Sequence, residues 1–200
     1  MRIPYYESTI HRQIREKREN RKERIRGDLE LYGGEVLQSD EMKQAYDQTH
    51  HKWSTLGEHT IRVAMSSVMI CYALKKMHIK VNIPAVVIGS LCHDLGMLGR
   101  EKYSNIKEAN TEHPKESVSV AKELVEEFPD EAESIIERHM WPLGETGAPD
   151  SIEGAIVSVA DKYNAVKDII KGSEVNHTGV KNYVQDERER IREGIKDLVK

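Results

Sequence analysis

Six side chains between positions 59 and 161 carry the chemical potential of this chain: His59, His93, Asp94, His113, His139 and Asp161. They stand out because the chain holds nine histidines beside one Phe and two Trp. Histidine fills a core poorly, but it is a good metal ligand and proton carrier. His93-Asp94 ends the apolar run Ser90-Leu-Cys, where burying an unpaired carboxylate would be costly and a metal ion would remove that cost. Four neutral imidazoles and two carboxylates supply −2 against the +4 of two divalent ions, leaving room for a bridging hydroxide and an anionic substrate oxygen. A mixed nitrogen and oxygen donor set favours Mn, Fe, Co, Ni or Zn over Ca or Mg. Two such ions, held about 3.5–4 Å apart, acidify a bridging water and clamp a phosphoryl group.

The elements that must position these groups read as helices. His59, Val63, Ser67, Ile70 and Leu74 form one inward stripe. Pro84 sits where a first helical turn accepts proline, and the following segment, apolar on nearly all sides, predicts a central helix that delivers His93 and Asp94, with Gly96 permitting the turn beyond them. Pro114 is expected to open another helix, with His113 just before it and Val118, Ala121, Leu124, Val125 and Phe128 inward. Ala132, Ile135, Ile136, His139 and Met140 line the next. Asp150-Ser-Ile-Glu153 reads as a capping box for a helix over 152–170 that places Asp161 inward. Residues 182–200 read as an amphipathic helix with Val184, Ile191, Ile195 and Leu198 on its apolar face. No period-two alternation lasts more than a few residues, so the fold class is all-α. The predicted organisation is a basic helical extension over 1–32, a metal-binding domain over 33–175, and a C-terminal helix over 176–200 packing on it.

Composition limits the alternatives. The 200 residues suit one domain with an appendage. Thirty Lys and Arg stand against 34 Asp and Glu, a net charge of −4, which argues against a mainly electrostatic nucleic-acid binder. Residues 1–26 are the exception: nine basic and four acidic residues give +5, leaving −9 for the remainder. That arm reads as a solvated helix, with contact to RNA or a protein as its other use. Cys71 and Cys92 read as small core residues. No signal-like or bilayer-length apolar run occurs, so a cytoplasmic protein without a membrane partner is expected. P-loop, dinucleotide-binding, GxSxG and HExxH patterns are all missing.

The order His59 … His93-Asp94 … Asp161, with the flanks Gly57-Glu-His-Thr-Ile-Arg-Val-Ala64, His93-Asp-Leu-Gly96 and Ser158-Val-Ala-Asp-Lys162, resembles the HD-domain metal-dependent phosphohydrolases over about residues 50–172. The resemblance implies a helical bundle in which His59, His93, Asp94 and Asp161 hold one metal. His113 and His139 match the additional pair of the binuclear HDIG and HD-GYP-like members, with Asp94 bridging; the GYP signature itself is missing. His93 and Asp94 are then the catalytic pair, and the implied reaction is hydrolysis of a phosphate ester or anhydride of a small molecule, a nucleotide above all, by a metal-bridging hydroxide.

Many members carry a lysine where this chain has Met97. Arg100, Lys102 and Lys115 are the candidate phosphate contacts in its place. Arg138 and Lys162 adjoin ligands, as do Glu58 and Glu112, which could orient a ring or shuttle a proton. Specificity is expected from residues 95–110 and 141–149. A mixed-valent di-iron oxygenase resembling myo-inositol oxygenase would use nearly the same six ligands, and a binding module stabilised by its metals is the third reading.

Overall fold

The computed structural model describes residues 9–51, 54–143 and 145–174. Helix α1 (Thr9–Gln38) is followed by α2 (Asp40–Asp47), a two-stranded antiparallel hairpin of β1 (Thr49–His51) and β2 (Ser54–Thr55), α3 (Leu56–Lys76) and α4 (Ile83–Cys92). Two 3-10 turns at Leu95–Met97 and Arg100–Lys102 lead to α5 (Ile106–Leu124), α6 (Asp130–Arg138) and α7 (Ile152–Glu174). The fold is all-α; the short hairpin, pairing Thr49 with Thr55 and His51 with Ser54, holds the only strands among the described residues.

Helix α4 is the axis of the bundle. Asn82 caps it by accepting from the Ala85 amide, Pro84 lies in its first turn, and Ala85 to Cys92 are all buried. Helices α1, α3, α5, α6 and α7 pack around it. Helix α1 runs without interruption through positions 32 and 33: residues 12–24 are exposed, and its second half buries Ile25, Leu29, Val36 and Leu37. Gly33 lies against α4 so closely that a Cβ there would stand 2.3 Å from Leu91 Cδ1.

Three local expectations are corrected. Pro114 does not open α5; it lies inside, because Asn105 starts the helix by accepting from the Glu108 amide. The helix passes Pro114 lacking the one hydrogen bond that proline cannot donate. The cap of α7 is Ser151, whose Oγ accepts from the Gly154 amide. Asp150 instead accepts from Ser134 Oγ, and Glu153 accepts from the Asn82 amide. The capping box occurs at α3, where Thr55 Oγ1 accepts from the Glu58 amide and Glu58 Oε2 from the Thr55 amide; Glu58 is thereby a helix cap, not a group facing the imidazoles. The expected C-terminal helix, residues 182–200, lies outside the described residues. No described helix is long and apolar enough to cross a membrane.

Candidate metal centre

Five helices each deliver a group to one buried point. His59 comes from the first turn of α3, His93 and Asp94 from the end of α4, His113 from the middle of α5, His139 from the end of α6 and Asp161 from α7. All six are buried. The interior position of Pro114 changes how His113 arrives: its ring is aimed by a helix, not by a loop.

The orientation of three rings is fixed from behind. His93 Nδ1 donates to the Ser90 carbonyl at 2.8 Å, His113 Nδ1 to Ala109 at 2.7 Å and His139 Nδ1 to Ile136 at 2.6 Å. A ring whose Nδ1 carries the proton presents a lone pair at Nε2, the tautomer suited to a metal. The centre is where these lone pairs converge. His113 Nε2 and His139 Nε2 are 3.1 Å apart, and Asp94 Oδ1 stands 3.2 and 3.4 Å from them. Three acceptors facing one another repel unless a cation lies among them. His93 Nε2, also buried, has no hydrogen-bond partner. The donor set therefore fits metal ions.

Asp94 divides its two oxygens. While Oδ1 faces His113 and His139, Oδ2 faces His93 at 3.4 Å and His59 at 3.9 Å. Asp161 Oδ1 joins the second group, 3.0 Å from His59 Nε2 and 3.8 Å from His93 Nε2. Two donor clusters thus share one carboxylate. Burial disfavours the Asp94 anion, yet the imidazoles of His93, His113 and His139 around it outweigh that cost and hold its carboxyl well below the usual range. Asp161 is also held low, burial being overcome chiefly by His59. Burial drives His139 down to about 4. At His59 burial is overcome by bonds to Asp161 and Asp168, which lift it to about 9.

Asp168 is a participant that the sequence reading missed. It is buried, and its Oδ2 lies 2.5 Å from Arg62 Nη2, 3.2 Å from Ser54 Oγ and 3.6 Å from His59 Nδ1. It stands behind His59 as the backbone carbonyls stand behind the other rings. Its spacing was a usable signal: Asp161, Asn164 and Asp168 form an i, i+3, i+7 polar stripe on an otherwise apolar helix. Lys162 bonds Asp161 Oδ2 at 3.1 Å and also the His139 carbonyl, tying α7 to the end of α6.

Beside the cluster opens a cleft of about 200 Å³ lined by Asp94, Met97, Arg100, His113, Leu143 and Lys162, among others. Of the three candidate phosphate contacts only Arg100 lines it. Lys102 is bonded to Glu116, and Lys115 to Glu112 at 3.0 Å, both at the exposed side of α5. Met97 is buried, its carbonyl accepting from Gln48 Nε2, so position 97 brings no charge to the cleft. Arg138 is turned away, toward Asp150 and the Ala148 carbonyl.

A solved structure of a conserved hypothetical protein from Pyrococcus furiosus aligns with 86% of this chain and 97% of its own, at 21% identity and a TM-score of 0.42. No curated protein matches the chain. A family model described as HD domain matches residues 56–166, which span every one of the six clustered groups. The chain belongs to the HD-domain family.

Proposed function

We infer that this protein is a binuclear metal-dependent phosphohydrolase that cleaves a phosphate ester or anhydride of a small molecule, a nucleotide above all. The observation that carries this reading is the division of Asp94: one oxygen toward His113 and His139, the other toward His59 and His93. His59, His93, Asp94 and Asp161 would hold one divalent transition metal, and Asp94, His113 and His139 the other. When bound, such a pair supplies an acidified water and Lewis-acid polarisation of phosphoryl oxygens.

The chain's own residues do the rest. Arg100 and Lys162 line the cleft beside the cluster and set two positive side chains where a phosphoryl group would enter. Lys162 also fixes Asp161, so its charge is held in place rather than swinging in solvent. Met97, Met140 and Leu143 form the apolar part of the lining, suited to the flat, weakly polar face of a base or to a short organic group. A cleft of about 200 Å³ receives the phosphoryl end of a substrate, and the remainder would extend past the exposed Leu143. Burial of the donor atoms keeps bulk water from them and strengthens every charge interaction inside.

The test is release of inorganic phosphate from a panel of nucleoside mono-, di- and triphosphates with Mn, Co or Ni. Activity with at least one pairing, abolished by Asp94→Ala, is expected. No phosphate release with any metal, together with oxygen uptake by the iron-loaded protein, would replace hydrolysis by the oxygenase reading.

A further inference from the structure

A second charged feature lies outside the metal centre. Helix α1 and the C-terminal end of α3 enclose an open groove of about 740 Å³ lined by Lys17, Asn20, Arg21, Arg24, Tyr72, Lys75 and Lys76. Five of these seven residues are cations, and no carboxylate is among them. Lys17, Arg21 and Arg24 fall at i, i+4 and i+7, one face of α1 spanning about 10 Å of helix rise. The fold brings Lys75 and Lys76 to the same groove from fifty residues away. Among the described residues none of the five cations forms an ion pair with a carboxylate, although α1 carries Glu16, Glu19 and Glu23. Asp28, one turn beyond Arg24 on α1, accepts from Tyr72 Oη.

Convergence of unpaired like charges from two elements raises the energy of the free protein and is relieved by an anion. We propose that this groove binds the phosphate backbone of a single-stranded nucleic acid. An open groove suits a linear ligand. Among the described residues Tyr72 is its only aromatic or aliphatic lining residue, and these residues form no wall that would take a lipid tail. Arg24 sits over Tyr72, guanidinium carbon 4.3 Å from the ring centroid, and such a cation–aromatic stack is a surface on which bases stack, a feature with no use to an acidic peptide. The net charge of the whole chain hides this patch: the chain is acidic overall, while the groove and the arm beside it are locally basic.

The experiment is fluorescence anisotropy of a labelled oligothymidylate with the full chain as a function of salt. Five phosphate contacts give a slope of log K against log salt of about −3.5, or a roughly 100-fold loss of affinity between 50 and 200 mM salt. Replacing Lys17, Arg21, Lys75 and Lys76 together with Gln is expected to flatten the slope to about −0.7. All four are exposed, so the fold is not at risk, and circular dichroism verifies it. A control removes the same charge outside the groove, at Arg12, Arg18, Lys43 and Lys80, and is expected to keep the steep slope. The proposal is overturned by absence of salt-dependent binding, by equal weakening in the control, or by inorganic tripolyphosphate binding as tightly as the oligonucleotide.

Discussion

Gly96→Ala tests how the second half of the metal centre is held. A Cβ at Gly96 would stand 2.3 Å from the His113 carbonyl oxygen, 2.7 Å from the Ser117 amide nitrogen and 2.9 Å from Glu116 Cβ. Two of these are backbone atoms of α5 and cannot swing aside. Ordinary contact begins at 3.4 Å, so α5 must withdraw by about 1 Å (3.4 less 2.3) at the residue that carries His113. The Nε2 of that ring is now 3.2 Å from Asp94 Oδ1, and metal sites tolerate ligand displacements of only about 0.2 Å. Overpacking costs about 1–3 kcal/mol. Displacement also strains the bonds from the Gly96 amide to Ser117 Oγ and from Tyr103 Oη to the Gly96 carbonyl, both 2.8 Å, each worth about 1 kcal/mol. The sum, about 3–5 kcal/mol, lowers Tm by roughly 6–20 °C at the 2–4 °C per kcal/mol usual for this chain length. Differential scanning fluorimetry reads the stability, and elemental analysis after metal loading and desalting reads the content. The expected variant is less stable and retains the metal at His59, His93 and Asp161 while losing the one at His113 and His139. An unchanged Tm with both ions retained would refute the close-approach argument.

Other consequences follow from the same geometry. Asp168→Asn keeps the shape behind His59 but removes the charge, and a ten- to hundredfold loss of metal affinity is expected in a competitive chelator titration; unchanged affinity would show that Asp168 only anchors Arg62. Arg100→Ala should lower kcat/KM for the phosphorylated substrate by about 10- to 100-fold, the worth of a charge-assisted hydrogen bond of about 1.5–3 kcal/mol, with metal content unchanged. Leu29→Ala should cost about 2–5 kcal/mol in denaturant unfolding, since Leu29 is fully buried; Arg18→Ala, on the exposed part of the same helix, should stay within about 0.5 kcal/mol.

Much of the centre was legible because buried polar residues on apolar helices leave a plain trace. His59 on the stripe of α3, His139 beside Ile135 and Ile136, and Asp161 within α7 are all intrusions into inward faces, and the structure brings the three together with His93, Asp94 and His113. The apolar character of α4 on all sides likewise marked it as central. What escaped the sequence was set by tertiary contact or by competition between local signals. Pro114 carries a strong start signal, but the Asn105 cap nine residues earlier prevails, since a proline inside a packed helix forfeits one bond while the flanking turns keep theirs. From sequence Gly96 frees a turn; the fold adds the close passage of α5, which leaves no room for a Cβ. Glu58, next to a ligand in sequence, points back along the helix into its cap. Asp168 lay on the same polar stripe as Asp161, yet nothing in the sequence alone places Arg62 and Ser54 around it.

The metal centre turns on two donor clusters that share the carboxylate of Asp94. Its most direct test is the metal content per chain, after loading with Mn and desalting, of the native protein and of Asp94→Ala. Two ions per native chain are expected, and loss of both in the variant, whose six-ligand set would be left without its shared member. A single ion in the native protein, or two retained by Asp94→Ala, would contradict it.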